Sequence, residues 1–309
     1  MKPLDINRDT ALPILRALKT IALADGIFES RQREFVEKHQ KDFGLDTNLD
    51  ALAPISPDEL AAAIPNSDTR LAIVQRMVIV ALLDDEAQAA EIDLLRNFAK
   101  TLGVSEPAIK QMKFAATNNT KRLAFDLLRH GFLATVFRNE WKTHGVGGIL
   151  RGVLAMSGGK NEKVAAKFRA LQSSAPGTLG AHYCAYMHAN RFPLPGEPKG
   201  AAEMLIFHDL GHALTGFSTN VPGEMRMAGF EAGYMTNDGF GVVALALFGF
   251  HLGIALPNIT AGRGGFDWSA VSEGYHLGRK LNVDLRNWDP WPYMNRPLED
   301  VRRELGLEA

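Results

Sequence analysis

Two histidines and an aspartate stand close together in the segment AAEMLIFHDLGHALTG, residues 201–216. His208 and His212 are four residues apart, so both imidazoles project from one face of a helix, and Asp209 lies three residues before His212. Neutral imidazoles and a carboxylate are ligands suited to zinc, iron or manganese. The segment therefore predicts part of a divalent-metal site on an otherwise apolar helix.

A further carboxylate follows these histidines after a tight turn. The turn covers residues 220–223 and contains Pro222, which is well placed at a helix start. Glu224 then lies in the first turn of a second helix, which can return antiparallel to the first, and Glu231 lies on roughly the same face. Ionisable groups among apolar neighbours are costly unless they are paired or metal-bound. A metal site is therefore favoured over a set of hydrogen-bonded core residues.

The first third of the chain contains an internal repeat at an offset of 59 residues. Residues 22–45 and 81–104 each read as an apolar helix, an acidic turn and a second helix that ends at a glycine. The identical pairs are Ala22/Ala81, Leu23/Leu82, Asp25/Asp84, Lys41/Lys100 and Gly44/Gly103. Two such hairpins can bury their apolar faces against each other, so we expect a small all-α domain over residues 1–115.

The remaining sequence also favours helices, because β-rich alternating runs are rare, and the predicted fold class is all-α. Residues 116–170 read as a helical connector, and their glycine-rich stretch 144–159 favours a hinge or close helix contact over a phosphate-binding loop, since no strand precedes it. The apolar run Val242–Leu256 has 15 residues, fewer than the roughly 20 needed to cross a bilayer. A buried helix is favoured there over a tunnel wall for an apolar ligand or a segment in a membrane surface.

The composition of the chain argues against several classes of protein. A formal net charge of −1 argues against a nucleic-acid binder, which normally carries a basic excess. The single cysteine, Cys184, excludes a disulfide framework, a four-cysteine zinc site and an iron–sulfur cluster. His182 and His188 flank it at a spacing that matches no standard zinc site, so a helix surface is favoured. Residues 1–20 carry charges throughout, and no secretory signal is expected.

The metal motif resembles a known family. HDLGH, 11 intervening residues and Glu224 match the HDxxH-x11-E signature of the coenzyme Q biosynthesis protein four family. The surrounding segments PGTLG (176–180), LTGFSTNVPGE (214–224) and RRELGL (302–307) are similar to that family as well. The resemblance covers about residues 171–309, which we assign to one metal-binding helical domain.

This resemblance implies a predominantly helical protein of ubiquinone biosynthesis. The implied activity is metal-dependent oxidative decarboxylation at ring carbon one of a polyprenyl-hydroxybenzoate-derived precursor. The implied ligands are His208, Asp209, His212 and Glu224, and we assign catalytic roles to Asp209, Glu224 and Glu231. Zinc is the expected ion, with iron, manganese and magnesium as alternatives. The alternative function is a non-catalytic, lipid-binding scaffold that organises ubiquinone-biosynthesis enzymes at the membrane.

The repeat at the N-terminus resembles the TerB-like (tellurite-resistance) domain through its acidic turns, Asp25-Gly26…Glu34 and Asp84-Asp85…Glu91. These turns could hold a cation, but helix capping is favoured because they lack the dense oxygen ligands of a calcium-binding loop. We assign residues 1–115 an interaction role.

The expected partners and location follow from the two resemblances. The partners are a polyprenylated aromatic precursor or another prenyl lipid, other ubiquinone-biosynthesis proteins, a membrane surface and a second copy of the chain, with no nucleic acid. The expected location is cytoplasmic with peripheral membrane association, on the cytoplasmic face of the inner membrane in a bacterium.

Overall fold

The computed structural model of this chain describes residues 4, 6–84, 88–117, 119–130, 134–136, 138, 141–142, 159–236, 238–254 and 262–307. Within these ranges the chain is helical and contains no β-strand, which confirms the predicted all-α class. The described α-helices are α1 (Arg8–Ala22), α2 (Ser30–Asp42), α3 (Pro57–Ala63), α4 (Ser67–Val80), α5 (Ala89–Leu102), α6 (Pro107–Ala116), α7 (Thr120–His130), α8 (Glu162–Arg169), α9 (Leu179–Ala189), α10 (Ile206–Thr215), α11 (Val221–Tyr234), α12 (Gly239–Ala246), α13 (Trp268–Gly278) and α14 (Leu298–Glu304).

The chain divides into two compact units. The first consists of Met1–Gly131 with Phe240–Trp268, and the second consists of Phe132–Gly239 with Ser269–Ala309. This division differs from the sequence-based boundaries, because residues 240–268 group with the N-terminal helices. The family domains 1–115, 116–170 and 171–309 stay predictions.

The two repeats of the first unit meet at equivalent positions. Gly44 and Gly103 follow α2 and α5 with φ of +64° and +68°, the left-handed conformation that ends a helix. Gln32 of α2 donates a hydrogen bond to Glu91 of α5 at 2.9 Å, and these residues are 59 positions apart, the offset of the repeat. The same amide of Gln32 donates to the carbonyl of Val80. The repeated hairpins therefore pack through matching positions of their second helices.

The acidic turns of these hairpins have different roles in the structure. The Asp25 carboxylate accepts a hydrogen bond from the Ile27 amide at 2.9 Å and closes its own turn. Glu91 is fully buried, and burial together with the carboxylates of Asp84 and Asp25 raises its pKa to about 9, against the opposing hydrogen bond from Gln32. Asp85 lies outside the described residues. Among those described, the acidic side chains of these turns form no group of three close enough to share one ion.

We expect Glu91→Gln to stabilise the first unit at alkaline pH. The folded state holds a proton on Glu91 up to about pH 9, whereas the ordinary pKa is 4.5, so stability falls as the pH rises between these values. A glutamine keeps an acceptor for Gln32 without needing that proton. Thermal unfolding at about pH 5 and pH 8 measures the effect, with the exposed substitution Asp93→Asn as control. The advantage of Glu91→Gln should grow at pH 8, and parallel pH profiles would contradict the assigned protonation.

The apolar run predicted as a buried helix forms α12 and a π-helical turn, Leu247–His251, in the first unit. Val243, Leu247 and Phe248 are fully buried, and the buried ring of His251 lies edge-on to Phe266. The described part of the run therefore matches the buried-helix interpretation, while residues 255–256 lie outside the described ranges. Residues 144–158 of the glycine-rich stretch also lie outside them. Among the described helices, none combines the length and apolar composition needed to cross a bilayer.

Two helices of the second unit pack backbone to backbone through glycines. A Cβ added at Gly229 of α11 would lie 2.0 Å from the Val271 carbonyl oxygen, and one at Gly274 of α13 would lie 1.9 Å from the Arg226 carbonyl oxygen. The contact continues one turn later at Gly233 and Gly278. Because glycine is needed at each contact, two G-x3-G spacings fix the position of α11 against α13.

The Trp-rich segment 287–293 forms a packed turn in this unit. Trp291 contacts Phe168 edge-on at 5.1 Å between ring centroids, and the Lys167 ammonium lies 3.6 Å above the Trp291 ring. These contacts hold the segment against α8.

Candidate metal centre

The turn between α10 and α11 brings the predicted ligands together. Helix α10 ends at Gly216, which has a φ of +75°. The side chain of Asn220 accepts a hydrogen bond from the Gly223 amide at 3.0 Å and caps α11. A Cβ at Gly223 would lie 1.8 Å from the Ser218 carbonyl oxygen, so the tight turn requires glycine. Glu224 consequently lies in the first turn of α11, as the sequence predicted.

His212 is held rigidly in this arrangement and is fully buried. Its Nδ1–H donates to the Phe217 carbonyl at 2.8 Å. Because a carbonyl can only accept, Nδ1 carries the proton and Nε2 presents its lone pair. Nε2 is buried without a hydrogen-bond partner and lies 3.5 Å from Glu224 Oε1. A buried lone pair without a donor is costly, and a metal ion is a suitable partner for it.

His208 faces the same carboxylate from the accessible side of the group. Its Nε2 lies 3.5 Å from Glu224 Oε2, and its Nδ1 lies 2.8 Å from Glu231 Oε1. The side chain of His208 is 39% exposed, whereas that of Glu231 is 2% exposed. Glu224 therefore presents one oxygen to each histidine Nε2, and Glu231 holds His208 from behind.

The charges of this group are strongly coupled. Desolvation acts against the charged form of His208, but Glu231 and Glu224 outweigh it and raise the His208 pKa well above its ordinary value. Burial acts to raise the pKa of Glu224, but the neighbouring imidazoles of His208 and His212 outweigh burial and lower that pKa to about 2. In the metal-free protein at neutral pH, an imidazolium at His208 thus balances carboxylates that a divalent cation would otherwise balance.

Three of the predicted ligands form a group that could hold one metal ion. Ligand atoms of His208, His212 and Glu224 all lie within 4.8 Å of one another. Two imidazoles and a carboxylate suit zinc, iron and manganese. Each histidine Nδ1 is bonded to a second group, a carboxylate or a backbone carbonyl, as is usual for histidines that bind metals.

Asp209 lies outside this three-residue group. Burial raises the pKa of Asp209, with His208 and His212 opposing that effect. Its roles as ligand and catalytic residue stay predictions.

The histidines and the cysteine of α9 do not join the group. His182 and His188 are exposed and Cys184 is half-buried, and within the described ranges no metal-binding group includes any of them. This matches the helix-surface interpretation of that segment.

Sequence reasoning missed two partners of His212. One is the Phe217 carbonyl. The other is Tyr186 of α9, whose ring stacks on the imidazole with centroids 5.1 Å apart and planes 14° apart. A backbone acceptor leaves no signal in residue types, and a ring from another helix leaves none in the spacing of α10. Glu231 was placed on the correct face, but its position behind His208 depends on how α10 and α11 pack.

Comparison with known proteins adds no relative, since no family model matches the chain and no curated protein matches it.

We expect Glu231→Gln to weaken divalent-metal binding about 10- to 100-fold, because a partner that orients a ligating imidazole typically contributes that much. The amide still reaches His208 Nδ1 but no longer supplies a negative charge. Competition with a chelating dye measures the affinity. Glu273→Gln is a matched control. Glu273 is an exposed carboxylate of α13 that pairs with Arg226, a residue of the helix that carries Glu231. Equal affinities of the two variants would remove Glu231 from the centre.

Proposed function

We propose that this chain is a metal-dependent enzyme of ubiquinone biosynthesis that carries out oxidative decarboxylation at ring carbon one of a polyprenyl-hydroxybenzoate-derived precursor. The observation that carries the proposal is the buried, partnerless Nε2 of His212, which lies 3.5 Å from Glu224. That arrangement fits a divalent ion held by His208, His212 and Glu224. The HDLGH-x11-E spacing, whose two ends meet in the fold, supports the choice of pathway.

An accessible centre favours catalysis over a purely structural role. Structural zinc sites are closed by four protein ligands, whereas catalytic sites have three and keep one position open. Here the group of close ligand atoms comes from three residues, and the side chain of one of them, His208, is 39% exposed. His212, in contrast, is fully buried. We place the substrate on the His208 side.

The protein residues have separate tasks in this proposal. A divalent ion held by His208, His212 and Glu224 would polarise the substrate's carboxylate or hydroxyl and would stabilise negative charge that develops on it. Glu224, with a pKa of about 2, stays ionised across the neutral range and is ready to ligate. Glu231 and the Phe217 carbonyl fix the two imidazoles, so little reorganisation is needed when the ion binds.

Other parts of the proposal rest on the family resemblance alone. These are zinc as the ion, the prenyl tail of the substrate, the cytoplasmic location, peripheral membrane association, and contact with other ubiquinone-biosynthesis proteins or a second copy of the chain. The non-catalytic lipid scaffold is the competing function, and the same assay separates the two.

Turnover by the purified full-length chain tests the proposal. The protein is loaded with zinc, iron or manganese and given a prenylated 4-hydroxybenzoate precursor, with dioxygen supplied as the two-electron oxidant. Mass spectrometry should detect a product in which a hydroxyl from water replaces the carboxyl group, with CO2 released and dioxygen reduced to hydrogen peroxide, and the Glu224→Gln variant should form none. Lipid binding with no turnover for any of the three metals would contradict the enzyme and favour the scaffold.

A further inference from the structure

Tyr186 lies against the metal-binding group without being one of its three ligands. Its ring stacks almost parallel on His212, at 5.1 Å and 14°. The edge of Phe192 contacts the same ring, with centroids 6.1 Å apart and planes 69° apart. The phenol is thus held in a fixed position relative to a ligand ring, on the α9 side of the centre.

The hydroxyl of Tyr186 is available to a ligand. It makes no hydrogen bond with the described part of the chain, and it is not among the buried polar atoms that lack a partner. By contrast, the hydroxyl of Tyr183, one turn earlier, is fully buried. A solvent-reachable donor beside a metal group can bind what enters that group.

The hydroxyl of Tyr186 is a neutral hydrogen-bond donor at neutral pH, as tyrosine hydroxyls ordinarily are, rather than a phenolate ligand.

We infer that Tyr186 is a substrate-binding residue whose hydroxyl donates a hydrogen bond to an anionic oxygen of the substrate, a carboxylate or a phenolate, beside His212 and Glu224. This inference rests on the proposed function, because it takes the metal-binding group as the centre at which the substrate binds. Hydrogen bonds to charged acceptors are about twice as strong as neutral ones, so the donor favours an anionic over an uncharged ring substituent. Tyr186 would thus contribute to the choice of an acidic aromatic substrate.

A ligand titration of the cobalt-loaded full-length protein tests this role. Visible absorption of bound Co²⁺ reports metal binding and also the binding of 4-hydroxybenzoate, with uncharged 4-hydroxybenzamide as the comparison ligand. Tyr186→Phe keeps the stacked ring and removes the donor. Tyr293→Phe is the matched control, because the Tyr293 hydroxyl donates to Glu304 on an exposed surface.

We expect Tyr186→Phe to bind Co²⁺ within about twofold of wild type and to bind 4-hydroxybenzoate about tenfold more weakly, the usual effect of one hydrogen bond to a charged group. Binding of 4-hydroxybenzamide should change less, and Tyr293→Phe should match wild type throughout. Equal binding of 4-hydroxybenzoate by wild type and Tyr186→Phe would overturn the inference.

Two further outcomes would overturn it for different reasons. If Tyr186→Phe loses Co²⁺ itself, the residue only supports His212. If Co²⁺ binding by the wild-type protein does not depend on His212, the assignment of the metal centre is wrong, and the proposed function is contradicted with it. If wild-type protein binds Co²⁺ through His212 but 4-hydroxybenzoate does not change the cobalt spectrum, the substrate-binding role of Tyr186 is rejected while the metal centre stands.

Discussion

The His212→Ala variant should lose its bound divalent ion, with affinity lower by roughly a thousandfold or more, because one of three ligands disappears. His212 is the member of the group with no exposure, and its buried Nε2 has no other partner. Metal analysis after dialysis, together with competition against a chelator, measures the loss.

His188→Ala is the matched control for this experiment, since His188 is an exposed histidine of α9. It should retain about one equivalent of metal. Unfolding of both variants without metal shows whether His212→Ala is folded, which separates loss of a ligand from loss of structure. Retention of a full equivalent by folded His212→Ala would reject the ligand assignment.

Gly274→Ala should destabilise the second unit by about 3 kcal/mol or more, which corresponds to a melting temperature about 10 °C lower. The added Cβ would lie 1.9 Å from the Arg226 carbonyl oxygen, and backbone cannot move aside as a flexible side chain can. Helix α11 would have to shift, and α11 carries Glu224 and Glu231. Thermal unfolding should therefore report lower stability, and a chelator competition should report weaker metal binding.

Gly211→Ala provides the matched control within α10. A Cβ there meets the terminal methyl of Met227 at 2.5 Å, the far end of a flexible side chain that can turn away. The higher helix propensity of alanine offsets part of any cost, so the change should stay within about 1 kcal/mol. Similar destabilisation by the two substitutions would contradict the assigned α11–α13 contact.

Local patterns in the sequence predicted the helical class and much of the metal site. The i, i+4 spacing of His208 and His212 fixes their common face before any tertiary contact exists. Pro222 and the capping residue Asn220 fix where α11 begins, and therefore place Glu224 in its first turn. These features depend on residues only a few positions apart, which is why sequence alone captures them.

The remaining features depend on packing between distant segments. Tyr186 reaches His212 from another helix, and the close approach of α11 to α13 depends on glycines about 45 residues apart, such as Gly229 and Gly274. The G-x3-G spacings were visible in the sequence, but nothing local identified their partner. Asp209 as a ligand stays a prediction of the motif, because it lies outside the group of three residues that the structure brings together.

X-ray absorption spectroscopy of the purified, metal-loaded chain tests the central claim most directly, because it identifies the atoms around the ion. We predict two imidazole nitrogens and additional oxygen ligands, in agreement with His208, His212 and Glu224. In His212→Ala the spectrum should show one imidazole nitrogen at the ion, or no bound ion at all. A sulfur neighbour at about 2.3 Å, which would point to Cys184, or a shell without two imidazoles, would contradict the metal centre described above.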